Sequence, residues 1–408
     1  MKKFNIPLFY RSSIITAIKN YRRTLDQRKK DFSPTRLDFG PVEFLIARHF
    51  GFCYGVENAI EISYKAIEEN PGKRIFLLSE MIHNPEVNSD LQSRGVRFIM
   101  HTHGEQIIPW ADINRNDVVL VPAFGTTIEI ENKLKDIGIQ SYTYDTTCPF
   151  VEKVWNKAAQ IGKESYTVVV HGKPSHEETR ATFSHSRQGA PTVVIRDMKE
   201  AVLLGRFIIG ELPPEAFYQS FENQYSEGFD PGKDLKRIGV VNQTTMLASD
   251  TQAIADYLRN LMIDKYDLDQ ASVHLHFAET GDTLCYATND NQTSTYGLLS
   301  EKADLAVVAG GYNSSNTSHI VELCEEKLPT FFISSAEKII DSQTIMHWDF
   351  HHKIEKTSKN FIPQKEKVTI LLTSGASCPD TIVEGILLRL LTFFSNTRDF
   401  DDVMRRFQ

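Results

Sequence analysis

Apolar runs of strand length recur along the chain from residue 43 onward, in EFLIARHF (43–50), RIFLLSE (74–80), VVLVPAF (118–124) and SYTVVVHG (165–172). Each leads through a polar loop into a segment of helical spacing, such as GVENAIEISYKAIEEN (55–70). Short continuous apolar runs alternating with helix-period segments predict parallel sheets covered by helices. The series continues with RIGVVNQ (237–243), LAVVAGG (305–311), TFFISS (330–335) and VTILLTSG (368–375). These strands are too many for one compact sheet and predict two or three small ones. Residues 204–236 break the rhythm with prolines, glycines and aromatics, and read as an insertion or long loop.

Composition narrows the class. Of 408 residues, 41% are hydrophobic and 24% charged, the mixture of a soluble globular protein of two or three domains. No apolar run approaches the ~18 residues of a membrane helix. The net charge of −8 is unevenly spread: residues 1–40 carry ten basic and three acidic side chains, a net +7, which leaves −15 on the rest. Such a body is a poor binder of nucleic acid. The basic segment lacks the apolar core and cleavage site of a secretory signal, and its three aspartates speak against a transit peptide. It is expected to form a solvated helix that packs on the body or a partner. The expected location is the cytoplasm, or the plastid stroma for a plant source.

Five cysteines, odd in number and widely spaced, suit a reducing compartment. Cys53, Cys148 and Cys285 share a context, since each follows a short loop and precedes a plausible helix. At such a junction the helix start favours the thiolate. Three of them could hold zinc with an open position, hold an iron-sulfur cluster with one iron free of thiolate, or simply pack as small hydrophobes. Cys324 reads as packing, and Cys378 as more structural than chemical. Polar clusters also sit at strand ends: His83 and Asn84; His171, His176 and Glu178; Asn242, Thr244 and Thr245; Ser314, Ser315 and Asn316; Ser377. Hydroxyl and amide side chains beside glycines at helix starts suit a multiply charged anion, although each alone is a common loop or cap residue. Glu178 is placed to donate protons in a closed site.

Eight motifs in this order, GFCYGV, HNPEV, DTTCP, HEET, NQTTM, CYATNDNQ, NSSNTSH and SGASCPD, closely resemble those of the 4-hydroxy-3-methylbut-2-enyl diphosphate reductases. These are the last enzymes of the methylerythritol phosphate route to isoprenoids, and the N-terminal segment and the 204–236 stretch resemble their longer, plant and cyanobacterial branch. The resemblance implies an α/β fold of three small domains with mostly parallel sheets, in a pseudo-threefold trefoil around one central 4Fe-4S cluster. Cys53, Cys148 and Cys285 would be its ligands, with an open fourth iron. By the same resemblance His83, His176, Ser314, Asn316 and Ser377 hold the diphosphate, with Ser315 adjoining. Glu178 relays protons and Thr244 positions the hydroxyl end. The implied reaction is reductive dehydroxylation to isopentenyl and dimethylallyl diphosphates, with ferredoxin or flavodoxin as electron donor. The expected division is a basic extension (1–42), domains at 43–148, 149–284 and 285–398, with 43–53 also able to pack on the third, and a tail (399–408).

One position departs from the pattern. Where short bacterial members carry a histidine, this chain has Phe124, and Thr126, Thr127 or His171 could compensate. Quinolinate synthase, with a similar three-cysteine outline, would not need the NSSN and SGAS motifs in this order. A redox or iron sensor would need no Glu178 and Thr244, and a zinc hydrolase would contain no sulfide.

Overall fold

The computed structural model describes residues 4–279 and 281–407. The chain divides into two compact units, one of residues 1–57, 83–88 and 286–408, the other of 58–82 and 89–285.

The first unit is built on a five-stranded sheet in the order Thr35–Asp38, Val42–Ile46, Val368–Ser374, Leu305–Ala309, Thr330–Ile333. The first pair is antiparallel and the others parallel, with Phe44 opposite Ile370 and Ala309 opposite Ser374. The central strands are buried along nearly their whole length, which is why they read as continuous apolar runs. A separate antiparallel hairpin pairs Thr344–Asp349 with Ile354–Lys359.

The second unit holds two sheets. One is parallel, in the order Val96–Phe98, Ile75–Leu77, Val118–Leu120. The other is parallel too, in the order Thr192–Ile195, Thr167–His171, Ile238–Asn242, Phe277–Ala278. The expected α/β architecture of several mostly parallel sheets is thus observed. Helices connect the parallel strands and are punctuated as the sequence dictates. Thr127 caps the start of Ile128–Ile137 through its side chain, and Gly138, at a φ of 89°, ends that helix in the left-handed region. Pro149 opens Pro149–Lys163, where its missing N–H is no loss.

Two stretches differ from the sequence expectation, and a third, the basic extension, meets it as a helix packed on the body. Residues 204–236 are no loose loop: their first five close the helix Met198–Ile208, and Phe217, Phe221 and Phe229 are buried in the core of the second unit. The three phenylalanines face inward, Phe217 stacked on Phe229 at 5.0 Å, whereas Tyr218 stays exposed. The expected tail forms the helix Phe400–Met404 and a final turn, with Met404 and Phe407 buried. The basic extension forms the helix Ser13–Leu25, capped by Ser12, whose Ile15 and Ile18 join the core of the first unit. Among the described residues no helix is long and apolar enough to cross a membrane.

Candidate active site

The chemistry-bearing residues lie at or beyond the C-terminal ends of parallel strands, where an open α/β sheet presents its loops and helix starts. In the second unit the loop after Ile238–Asn242 carries Thr244, and the helix after Thr167–His171 begins at Glu177. These two connections meet. The Thr244 N–H donates to Glu178 Oε1 at 2.5 Å, and Thr244 Oγ1 lies 2.9 Å from Oε2. Both residues are buried, Glu178 to 1% exposure. Thr244 also accepts the Cys285 N–H on its carbonyl at 3.2 Å. His176 is the cap of the Glu177–Ser186 helix: its Nδ1 accepts the Glu178 N–H at 3.1 Å, so in the neutral ring the proton sits on Nε2. The Phe124 ring stands edge-on to His176 at 5.5 Å.

Cys148 caps the helix Pro149–Lys163, and its N–H is anchored on the Ala123 carbonyl at 2.9 Å. Burial pushes its thiol up to about 11; the Phe150 and Val151 amides pull it back, while the neighbouring Cys285 and Glu178 charges push it further. Desolvation and like charge thus oppose the pull of the helix start on this thiol. The same interaction places Cys148, Cys285 and Glu178 as electrostatic neighbours.

The first unit gathers a different set. Ser314 caps the helix Ser315–Glu325 and accepts from the Thr317 amide and hydroxyl at 3.2 and 2.9 Å. The Asn316 amide oxygen accepts from Asn291 Nδ2 at 3.3 Å and from the Ala376 N–H at 2.9 Å, which turns its NH2 group away from both. That Nδ2 and the Ser315 hydroxyl are buried with no hydrogen-bond partner among the described residues. Ser377 donates to the His83 carbonyl at 3.1 Å. His83, Ser314, Ser315, Asn316 and Ser377 thus belong to one loop cluster with orphaned donors at a helix start, the chemistry that an anion satisfies. Cys53 lies here as well, its N–H on the Ala376 carbonyl at 3.1 Å, directly before the helix Tyr54–Glu69.

Residues 44–391 match the family described as LytB protein. The chain belongs to the LytB family. Among its relatives, a Picosynechococcus protein is 36% identical over 93% of this chain and 89% of its own length. A Synechococcus protein is 39% identical over 86% and 84%. Both are named 4-hydroxy-3-methylbut-2-enyl diphosphate reductase. Two solved structures share the LytB fold. One, of the (E)-4-hydroxy-3-methyl-but-2-enyl diphosphate reductase described as the terminal enzyme of the non-mevalonate pathway, has a TM-score of 0.51 at 23% identity and covers 86% of this chain and 99% of its own. The other, the reductase from Plasmodium falciparum, has a TM-score of 0.61 at 21% identity, covering 88% and 89%.

For a LytB chain the remaining question is whether its donors fit an iron-sulfur group. Cys53, Cys148 and Cys285 are free thiols, each half-buried at the start of a helix, and soft thiolates are the ligands such clusters use. Among the described residues no three His, Cys, Asp or Glu side chains converge as ligands of a single ion would. A cubane cluster places each thiolate on a different iron and needs no such convergence. Cys324 and Cys378 are fully buried in the core, with burial holding Cys324 up at about 12 and Cys378 higher still.

Of the possible substitutes for the Phe124 position, Thr127 spends its hydroxyl as a helix cap, and buried His171 turns its Nδ1 to Asn242 Nδ2 at 3.1 Å. The backbone carbonyl of Thr126 pairs with His185 at 3.1 Å. Asn84 accepts the Glu86 and Val87 amides as a helix cap. Gln243 escaped the sequence reading although it sits inside NQTT. Fully buried, it accepts from the Lys173 N–H at 3.1 Å and the Thr179 hydroxyl at 3.0 Å, and donates to Thr245 at 2.7 Å, tying the His176 loop to the Thr244 loop. Asn291 lies within CYATNDNQ, and its place in the helix that follows Cys285 is its sole sequence signal.

Proposed function

We propose that this LytB chain reduces 4-hydroxy-3-methylbut-2-enyl diphosphate, replacing its allylic hydroxyl by hydrogen. The products are isopentenyl and dimethylallyl diphosphates, with the hydroxyl leaving as water. Two electrons and two protons are consumed, the electrons from a ferredoxin or flavodoxin, each of which is oxidised by one electron per encounter. The observation that carries this reading is the Glu178–Thr244 pair, buried beside two cysteines that head helices.

Cys53, Cys148 and Cys285 are the proposed ligands of one 4Fe-4S cluster with an open fourth iron. When bound, the cluster supplies one-electron transfer and a Lewis acid for the alcohol. The chain's own residues do the rest. Glu178 Oε1 is fixed as an acceptor by the Thr244 N–H, so a proton carried by the carboxyl sits on Oε2, facing Thr244 Oγ1. From there the threonine hydroxyl can accept that proton while passing its own to the departing hydroxyl. His176, with its proton on Nε2, acts as a neutral donor to the diphosphate. Ser314, Ser315, Asn316, Ser377 and His83 supply further donors, and burial of the set excludes water that would weaken each contact.

The three-domain partition at 43–148, 149–284 and 285–398 is supported by a parallel sheet, or the greater part of one, in each range. The five free cysteines support a reducing compartment, and we assign the cytoplasm, or the plastid stroma in a plant.

The test is iron and acid-labile sulfide per chain after anaerobic purification, followed by turnover of the hydroxylated allylic diphosphate with a chemical reductant. About four of each per chain, with turnover, is the expected result. Zinc, or no metal and no turnover, would overturn the reading.

A further inference from the structure

The basic N-terminal segment is seated on the loop that carries Cys53. Within the first unit Phe4 packs edge-on against Tyr54 at 4.9 Å, Tyr10 against Phe52 at 5.7 Å, and Lys19 Nζ lies 4.4 Å over the Phe50 ring while pairing with Asp380 at 2.7 Å. The residues on both sides of Cys53 are therefore covered by this segment. Arg48 is 6% exposed and makes no ion pair among the described residues; its guanidinium reaches the Arg22 and Asp26 carbonyls only at 3.5 Å, and the Asp26 and Asp31 charges offset part of its own. Arg23, Arg28 and Lys30, in the same segment, are exposed and likewise make no ion pair among the described residues, and Leu25 between them in sequence is 66% exposed.

We propose that this exposed cationic stretch, Arg23, Arg28 and Lys30 with Leu25, is the docking surface for a small acidic protein that delivers single electrons. The proposal rests on the reductase reading above, which requires an electron donor. The argument is one of charge and place. The first 40 residues carry +7 while the remainder carries −15, so an acidic carrier is repelled by most of the surface and attracted here. These cations belong to the segment that covers the Cys53 loop, and the 66% exposed Leu25 in the same stretch of chain gives a docked partner an apolar contact as well. A membrane is the poorer fit: the helix Ser13–Leu25 has already buried Ile15 and Ile18 in the body, and a helix lying in a bilayer needs its apolar face free.

The experiment compares wild type with Arg23→Glu/Arg28→Glu/Lys30→Glu, all three positions lying outside the catalytic and binding sets. Turnover is measured with a strongly acidic plant-type [2Fe-2S] ferredoxin and, separately, with reduced methyl viologen. Affinity for the ferredoxin is measured by titration calorimetry. At low ionic strength the variant is expected to raise the KM for ferredoxin at least ~10-fold and to weaken its binding in step. Added salt should slow the wild type and leave the variant nearly unaffected, with iron content and the viologen rate unchanged. Equal ferredoxin affinity in the two proteins would overturn the proposal, as would an equal loss with both reductants. Binding of wild type but not variant to anionic vesicles, with ferredoxin KM unchanged, would assign the face to a membrane and overturn it as well. A wild type idle with viologen would defeat the catalytic reading alone, because calorimetry still reads the surface.

Discussion

Glu178 commits both carboxylate oxygens to Thr244, one to its amide and one to its hydroxyl, and that division separates position from proton supply. A glutamine at 178 keeps an acceptor for the amide and turns an NH2 group toward the hydroxyl, so the site stays assembled while the transferable proton is gone. Glu178→Gln is expected to lower kcat by about 10²–10⁴-fold, the usual worth of general acid catalysis, with KM and iron content close to wild type. Steady-state kinetics beside iron analysis checks this, and undiminished turnover would remove Glu178 from the relay. His49 shows a second effect at this scale. Burial, then the charges of Arg48, Lys29 and Lys19, hold its imidazole down at about 4, against about 6.5 in an unfolded chain. Between those values the unfolded chain binds a proton that the folded one refuses. The contribution of a neutral His49 is therefore complete above about pH 6.5 and is lost as pH falls toward 4. The loss is on the order of 1–2 kcal/mol once solvent screening of a half-buried ring is allowed for. His49→Gln should flatten the drop in urea midpoint between pH 7 and pH 4.5, and an unchanged drop would refute the assignment.

At the scale of elements, function depends on loops brought to one sheet edge at very close range. A Cβ added to Gly311 would stand 2.3 Å from the His83 carbonyl oxygen, the same atom that accepts from Ser377. That neighbour is backbone and cannot rotate aside, so Gly311→Ala must displace the His83 loop or the loop leading to Ser314. The expected result is a fall in stability of about 1–3 kcal/mol and a rise of about tenfold in KM for the diphosphate. Gly189→Ala, with open space around the new methyl group, should leave both unchanged. The strands themselves were legible because burial on both faces writes a continuous apolar run, and the cysteine junctions because each precedes a helix. Short or half-exposed strands such as Val96–Phe98 and the 344–359 hairpin left no such run. Nor did the sequence reveal Gln243 or Asn291 as braces, because a buried amide takes its role from partners 64 and 25 residues away. Periodicity reports which face of an element is apolar and says little about what that face meets.

The same limit governs the molecule as a whole, where the basic segment is the clearest case. Its charge and amphipathic spacing are readable in the sequence, and the expected helix is there, packed on the body, but what it packs against is not readable. Val42–Ile46 lies between Thr35–Asp38 and Val368–Ser374, so the chain's beginning and end share a sheet, and Tyr21 meets Phe407 edge-on at 5.2 Å. The N-terminal helix is therefore part of the core of the first unit and not an appendage, which makes a measurable difference. Ile15 is fully buried in that core, whereas Thr16 beside it is exposed. Truncating a buried isoleucine to alanine costs about 2–5 kcal/mol. Each kcal/mol corresponds to about 2–4 °C in a unit of this size. Ile15→Ala should thus lower Tm by about 5–15 °C, while Thr16→Ala should change it by about 1 °C at most. Differential scanning calorimetry distinguishes the two, and an Ile15→Ala protein melting with wild type would return the segment to the status of an appended arm. A destabilised helix would also loosen the cover over Phe50, Phe52 and Tyr54, so the same variant should release iron faster under a chelator than Thr16→Ala does, linking the seat of this segment to the integrity of the Cys53 loop.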